Sequence, residues 1–158
     1  MSSKVEKCDH ASVGMFVWRD DHLLLIERKE FPFGFAPPAG HVDNHGSYEK
    51  AAENELKEEV GLRSVSLSLM IEGCKENICR RPGGTWHHWR IYRVEAQGNI
   101  QRSRTETRRA GWYSLEEIKS LSDKTVQYLN GGISNENWRM DPGIETVWYE
   151  WFRELKII

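Results

Sequence analysis

GHVDNHGSYEKAAENELKEEVGL, residues 40–62, is the stretch from which the rest of the chain can be read. Ser47 is a good helix N-cap, Glu49 complements the positive end of the helix dipole, and Ala51, Ala52 and Leu56 favour helix. Gly61 stands where a left-handed C-terminal cap belongs, so the pattern predicts a helix from about Tyr48 to Val60. On that helix Glu55 neighbours both Glu58 and Glu59, which gathers three carboxylates on an arc of about 100°. Unpaired, like charges at this spacing cost a few tenths of a kcal/mol each, and more when partly buried beside Ala52 and Leu56. A hard divalent cation reverses that sign, and Mg²⁺ commonly joins one or two carboxylates to phosphate oxygens. The plainer alternative is a solvated helix surface, which is the usual meaning of a charge run on a helix.

Upstream, Val13 to Trp18 is apolar and rich in strand formers, Arg19-Asp20-Asp21-His22 reads as a turn, and Leu23 to Ile26 reads as a buried strand. Together they predict a hairpin. FPFGFAPPAG, residues 31–40, combines aromatics with Gly34, Pro37, Pro38 and Gly40 and should be a tightly held irregular loop leading into the helix. Downstream, Val65, Leu67, Leu69 and Ile71 alternate with Ser66, Ser68 and Met70 as in a half-buried strand, and Pro82-Gly83-Gly84 separates strand-like segments near 71–80 and 86–94. Ser114 with Glu117 forms a capping box that opens a helix carrying Ile118 and Leu121. Residues 122–139 are polar enough to read as a mobile connector. Asp141 as cap and Pro142 at the first helical position predict a last helix whose apolar stripe is Ile144, Val147, Trp148, Trp151, Phe152 and Leu155.

The 158 residues, 39% hydrophobic and 29% charged, suit one domain over 1–158, with a loose N-terminus over 1–10 and a helical extension over 122–158. A formal net charge of −2 supplies no field to hold a polyanion, which disfavours bulk nucleic-acid binding and leaves phosphate groups to local arginines or a metal. Three cysteines make an odd count in a chain too large to need disulfide staples. The start lacks an apolar stretch of signal-peptide length, so a cytoplasmic, reduced setting is expected. The longest aliphatic run, Leu23 to Ile26, is far short of the roughly 18 to 20 residues of a membrane span.

Cys74, Cys79, His87 and His88 cluster in sequence, but their spacing fits no strong zinc pattern, and adjacent His87 and His88 on a strand would face opposite ways. Cys8 and His10, near the expected loose terminus, are weaker zinc candidates still. Arg80, Arg81 and Arg90 have the chemistry to grip phosphates, although arginines at strand ends are more often solvated. Trp18, Phe31, Phe33, Phe35, Trp86 and Trp89 offer stacking surfaces for a base, but core or lid packing is the commoner use, and Trp148 and Trp151 read as core.

The stretch from Gly40 to Leu62 resembles the Nudix box: Gly, five residues, Glu, seven residues, Arg-Glu-apolar-x-Glu-Glu-x-Gly-apolar. Gly40, Glu55, Leu56, Glu58, Glu59, Gly61 and Leu62 match in register, whereas Gly46 and Asn54 stand where the pattern has Glu and Arg. In the family those two residues support the geometry of loop and helix together, so their joint absence resembles one lost ion pair. The preceding hairpin and the GWYSLEEI segment, residues 111–118, extend the resemblance. It implies an α/β fold, a Nudix-type α/β/α sandwich around a mixed sheet, here with an additional amphipathic C-terminal helix. It also implies a Mg²⁺-dependent pyrophosphatase, with Mn²⁺ able to substitute, that hydrolyses a nucleoside diphosphate linked to another group, such as a nucleoside triphosphate or ADP-ribose. By the same resemblance Glu55, Glu58, Glu59 and the Gly40 carbonyl would hold the metal, and Glu55 or Glu106 would activate the water. An exposed loop carboxylate among Arg102, Arg104, Arg108 and Arg109 is the equal alternative for Glu106. The alternative function is a non-hydrolytic nucleotide-binding module on the same fold. The expected partner is a small nucleotide, without bulk nucleic acid or membrane, and a homodimer is left open.

Overall fold

A computed structural model describes residues 6–158. Four strands form a mixed sheet in the order β5 (Ala39–His41), β1 (Ala11–Phe16), β7 (Trp86–Gln97), β6 (Arg63–Glu76). In it β1 runs parallel to β7 and antiparallel to β5, and β6 and β7 form a long antiparallel pair. A second sheet joins β2 (Trp18–Arg19), β3 (His22–Arg28) and β4 (Phe35–Ala36), with β8 (Thr107–Tyr113) on the other side of β3. The helices are α1 (Tyr48–Val60), α2 (Leu115–Leu129), α3 (Asn135–Met140) and α4 (Thr146–Glu154).

Strand alternation sorts the core into two layers. Val13, Met15, Leu24 and Ile26 face α1, where Ala51, Ala52, Leu56 and Val60 are buried. Phe16, Leu23 and Leu25 face the other way, onto Ile118 of α2 and Trp148, Trp151 and Phe152 of α4. Gly14 belongs to the second set: a Cβ there would fall 2.1 Å from the Trp148 ring, so only glycine lets α4 pack so closely on β1. The layered mixed-sheet architecture and the added C-terminal helix are as the sequence predicts.

Several local expectations need correction. The predicted hairpin is really two pieces, because the chain changes sheets at Val17; the hairpin proper is β2–β3, closed at Asp20 and Asp21 with φ of 48° and 60°, the left-handed pair that such tight turns require. The β6 alternation fails: register shifts between Ser64 and Ser66 and between Leu69 and Ile71 leave Val65, Leu69 and Met70 exposed on an edge strand. Residues 122–139 are helical over most of their length, since buried Ser122 and Thr125 return their hydroxyls to the Ile118 and Leu121 carbonyls and Tyr128 stacks on Trp138. The last helix starts at Thr146 and not Pro142: the Phe35 N–H donates to the Gly143 carbonyl and the Glu145 N–H to the Phe35 carbonyl, so that segment pairs as a strand. Asp141 caps the end of α3 instead. Residues 1–5 of the expected loose terminus lie outside the described residues, but Cys8 is buried and its N–H donates to the Pro82 carbonyl.

Candidate active site

Both ends of α1 are fixed by its own sequence. The Ser47 hydroxyl accepts the Lys50 N–H at 3.0 Å, and Gly61, at φ 72°, donates its N–H to the Lys57 carbonyl. With Ala52, Leu56 and Val60 turned into the core, Glu59 is buried, Glu55 half-buried and Glu58 exposed. Gly40 on β5 abuts this face: a Cβ there would lie 2.3 Å from the Glu55 carboxyl carbon. Gly40, Glu55, Glu59 and Glu106 line one cleft of about 530 Å³, with Arg28 and Arg80 on its walls. Glu58 adjoins the cleft through Glu55, whose ionisation it opposes. The Glu106 loop is tied to α1 where the Gln101 and Ser103 N–H groups donate to the Val60 and Glu59 carbonyls, at 2.8 and 2.7 Å.

The cleft concentrates carboxylates whose mutual repulsion its arginines offset only in part. Burial, then Glu58, Glu106 and Asp43, push the Glu55 carboxyl up to about 8. Burial and then Glu55 hold Glu59 well above its ordinary range, against the opposing pull of Arg28 and a hydrogen bond from the Ala39 backbone. Glu59 Oε2 is buried without a hydrogen-bond partner. Among the described residues none of Glu55, Glu58, Glu59 and Glu106 is ion-paired to a lysine or arginine; Arg108 and Arg109 turn to the buried Glu27, and Arg102 donates to the Thr107 carbonyl. Oxygen donors held together at such cost fit a hard divalent cation.

The Gly46 and Asn54 positions are bridged by a residue that the sequence did not single out. Asn54 Nδ2 lies 2.9 Å from His45 Nδ1, and His45 Nε2 lies 3.5 Å from Glu55 Oε1, so the imidazole links the turn to the helix. An Asn54 amide hydrogen donated to Nδ1 leaves Nε2 turned toward the Glu55 carboxyl. Gly46, at φ 97°, closes the turn.

The NUDIX domain family model matches residues 9–130. The chain belongs to the Nudix family. Among solved structures, the Nudix chain is similar to a MutT NUDIX hydrolase from Burkholderia pseudomallei, at 26% identity over 68% of this chain and 84% of that one, with a TM-score of 0.57. It is similar in fold to a NUDIX hydrolase from Nitrosomonas europaea, at 23% identity over 70% and 76%, TM-score 0.60. The same holds for the NUDIX domain of Shewanella oneidensis NrtR, solved in complex with ADP ribose, at 18% identity over 76% and 82%, TM-score 0.58. No curated protein sequence matches. As a Nudix hydrolase it acts on pyrophosphate bonds. No helix is long and apolar enough to cross a membrane among the described residues.

Of the other residues weighed from sequence, Arg80 and Arg81 both line this Nudix cleft, and Arg81 is held there by Asp43 through bonds of 2.5 and 2.8 Å. Arg90 lies over the Tyr48 ring and pairs with Glu72, away from the cleft. Trp89, Trp148 and Trp151 are core, and Trp86 stacks on His10. Among the cleft residues that went unnoticed in the sequence are Arg28, whose Nε is buried without a partner, and Glu145, buried and pushed up to about 7 by that burial. Neither lies in a motif; only the antiparallel register of β3 and the pairing of residues 143–145 with Phe35 bring them there.

Proposed function

We propose that this cleft hydrolyses, with Mg²⁺, a pyrophosphate linkage in a nucleoside diphosphate joined to another group. The observation that carries the reading is the Glu59 carboxylate, buried with one oxygen unpartnered beside Glu55 and the Gly40 backbone, in a cleft open to a substrate. In this reading the Glu55, Glu58 and Glu59 carboxylates and the Gly40 carbonyl hold the cation, with Mn²⁺ able to replace it. The ion supplies neutralisation of the charge that grows on phosphate oxygen and a lower pKa for bound water. Glu55 or Glu106 orients the attacking water and takes its proton as the new bond to phosphorus forms and the bridging oxygen departs. Arg28 and Arg80, on the cleft walls, offer guanidinium donors to the remaining phosphate oxygens. The Glu55 carboxyl, pushed up to about 8 by burial and its acidic neighbours, would have to give up that proton to serve as a ligand.

A panel of nucleoside triphosphates, ADP-ribose, dinucleotide polyphosphates and nucleotide sugars, each incubated with and without Mg²⁺, tests this reading. Release of phosphate, pyrophosphate or nucleoside monophosphate from at least one class, abolished by chelation of Mg²⁺, is expected. Binding of a nucleotide without turnover across the panel would instead make the cleft a recognition module.

A further inference from the structure

We propose that Cys8, His41, Cys79 and His87 form a tetrahedral zinc site, on a wall of the same cleft that holds the glutamates, that clamps the N-terminal segment and the β6–β7 connection onto β5. One ligand atom from each of the four side chains lies within 4.8 Å of the others. Cys8 Sγ is 3.2 Å from His87 Nε2 and 3.5 Å from His41 Nε2. Zinc–sulfur bonds of about 2.3 Å and zinc–nitrogen bonds of about 2.0–2.1 Å make a tetrahedron with edges of roughly 3.3–3.8 Å, so the set closes on an ion with small side-chain adjustments. Four protein ligands leave no open position, which marks a structural and not a catalytic zinc.

The surroundings are built for the same purpose. His87 Nδ1–H donates to Asn77 Oδ1 at 3.1 Å, and the Trp89 indole N–H donates to the same oxygen at 3.2 Å. The indole fixes the amide orientation, the amide fixes the imidazole tautomer, and the free lone pair of Nε2 points into the cluster. Each sulfur receives a backbone N–H from two residues on: His10 to Cys8 at 3.3 Å and Arg81 to Cys79 at 3.4 Å, donors that stabilise thiolates. The connection is folded tightly around Cys79, whose N–H donates to the Gly84 carbonyl while the Gly84 N–H donates to the Arg81 carbonyl. A Cβ on Gly84 would fall 2.0 Å from Cys79 Sγ and 3.4 Å from Cys8 Cβ, so glycine is required for the sulfurs to meet.

Of Cys74, Cys79, His87 and His88, the exposed Cys74 lies 3.5 Å from His88 Nδ1, and His88 Nε2 meets Glu72 at 3.2 Å. Half of the set, however, joins Cys8 and His41 on the opposite face of the β6–β7 pair. The site also explains how the turn before α1 is anchored without the glutamate and arginine of the family pattern. His41 directly follows Gly40, and Arg81, two residues beyond Cys79, grips Asp43 with both terminal nitrogens.

The test is the metal content of protein purified under reducing conditions without added metal. About one zinc per chain is expected in the wild type and in Cys74→Ser, falling at least fivefold in Cys79→Ser. If Cys79→Ser does not fold, cobalt loading of the unfolded and refolded wild-type chain decides the matter: intense visible bands of tetrahedral cobalt with a thiolate charge-transfer band are expected, unchanged in Cys74→Ser. Zinc far below one per chain with no such cobalt spectrum would overturn the proposal. So would an intact mass two hydrogens light, which is a Cys8–Cys79 disulfide. None of these readouts depends on hydrolysis, so a zinc-loaded chain inactive on every nucleotide would refute the proposed function and leave the zinc site standing.

Discussion

Gly40→Ala is the sharpest local perturbation. The new Cβ would stand 2.3 Å from Glu55 Cδ, 2.6 Å from Cγ and 2.7 Å from Oε1, where ordinary contact begins at 3.4 Å. Glu55 therefore has to withdraw by about 1 Å or more, and a displacement of that size at a reacting centre costs on the order of a hundredfold in rate, or about 2.7 kcal/mol. Folding should be almost untouched, because Gly40 is not in the left-handed region and the colliding atoms end a flexible side chain. Gly46→Ala is the converse control: nothing lies within 4 Å of its Cβ, but φ is 97°, so it should cost about 1 kcal/mol of stability and less than tenfold in turnover. The assay is steady-state hydrolysis of the best substrate across a Mg²⁺ titration, with thermal unfolding of each variant alongside. Gly40→Ala turning over within threefold of wild type, at unchanged Mg²⁺ dependence, would refute the placement of Glu55 against the Gly40 backbone.

Glu145 makes stability depend on pH. Its carboxyl, raised from the ordinary 4.5 to about 7, holds its proton more tightly in the folded chain. Its contribution is thus fully present below 4.5 and lost as pH rises through about 7, by roughly 3 kcal/mol at most. Chemical denaturation should accordingly show Glu145→Gln gaining on wild type between pH 5 and 8; parallel profiles would contradict the burial of an acid that Arg28 only partly offsets. Trp148→Ala empties the space between β1 and α4 and should cost about 3–5 kcal/mol in urea unfolding, with a loss below 1 kcal/mol incompatible with the packing described. Ser47→Ala removes the α1 cap and should cost about 1 kcal/mol, measurable as a lower melting temperature; no change would mean that the hydroxyl does not cap the helix.

Helix α1 and its carboxylates were legible in the sequence because every signal is local: a cap hydroxyl, a terminal glycine and charges one turn apart act within a few residues. The capping box of α2 was legible for the same reason. What failed depends on partners distant in the chain. The sheet change at Val17 is decided by β7 and β8, and the start of α4 by Phe35. Residues 122–139 look like a polar connector because their buried face uses hydroxyls, which satisfy themselves on carbonyls one turn back. The Cys8, His41, Cys79 and His87 cluster left no trace in spacing, since its ligands come from three separate parts of the chain that only the sheet brings together. His45, set between Asn54 and Glu55, is a contact that the motif pattern alone does not announce.

The claim at the centre is that acidic side chains of α1 gather a divalent cation for cleavage of a phosphoanhydride. Glu58→Gln and Glu59→Gln keep the size of the side chain and remove its charge, so each can be compared with wild type under saturating Mg²⁺. A loss of turnover of about a hundredfold or more in both, with melting temperatures preserved, is the predicted result. Turnover unchanged in both variants would contradict the account.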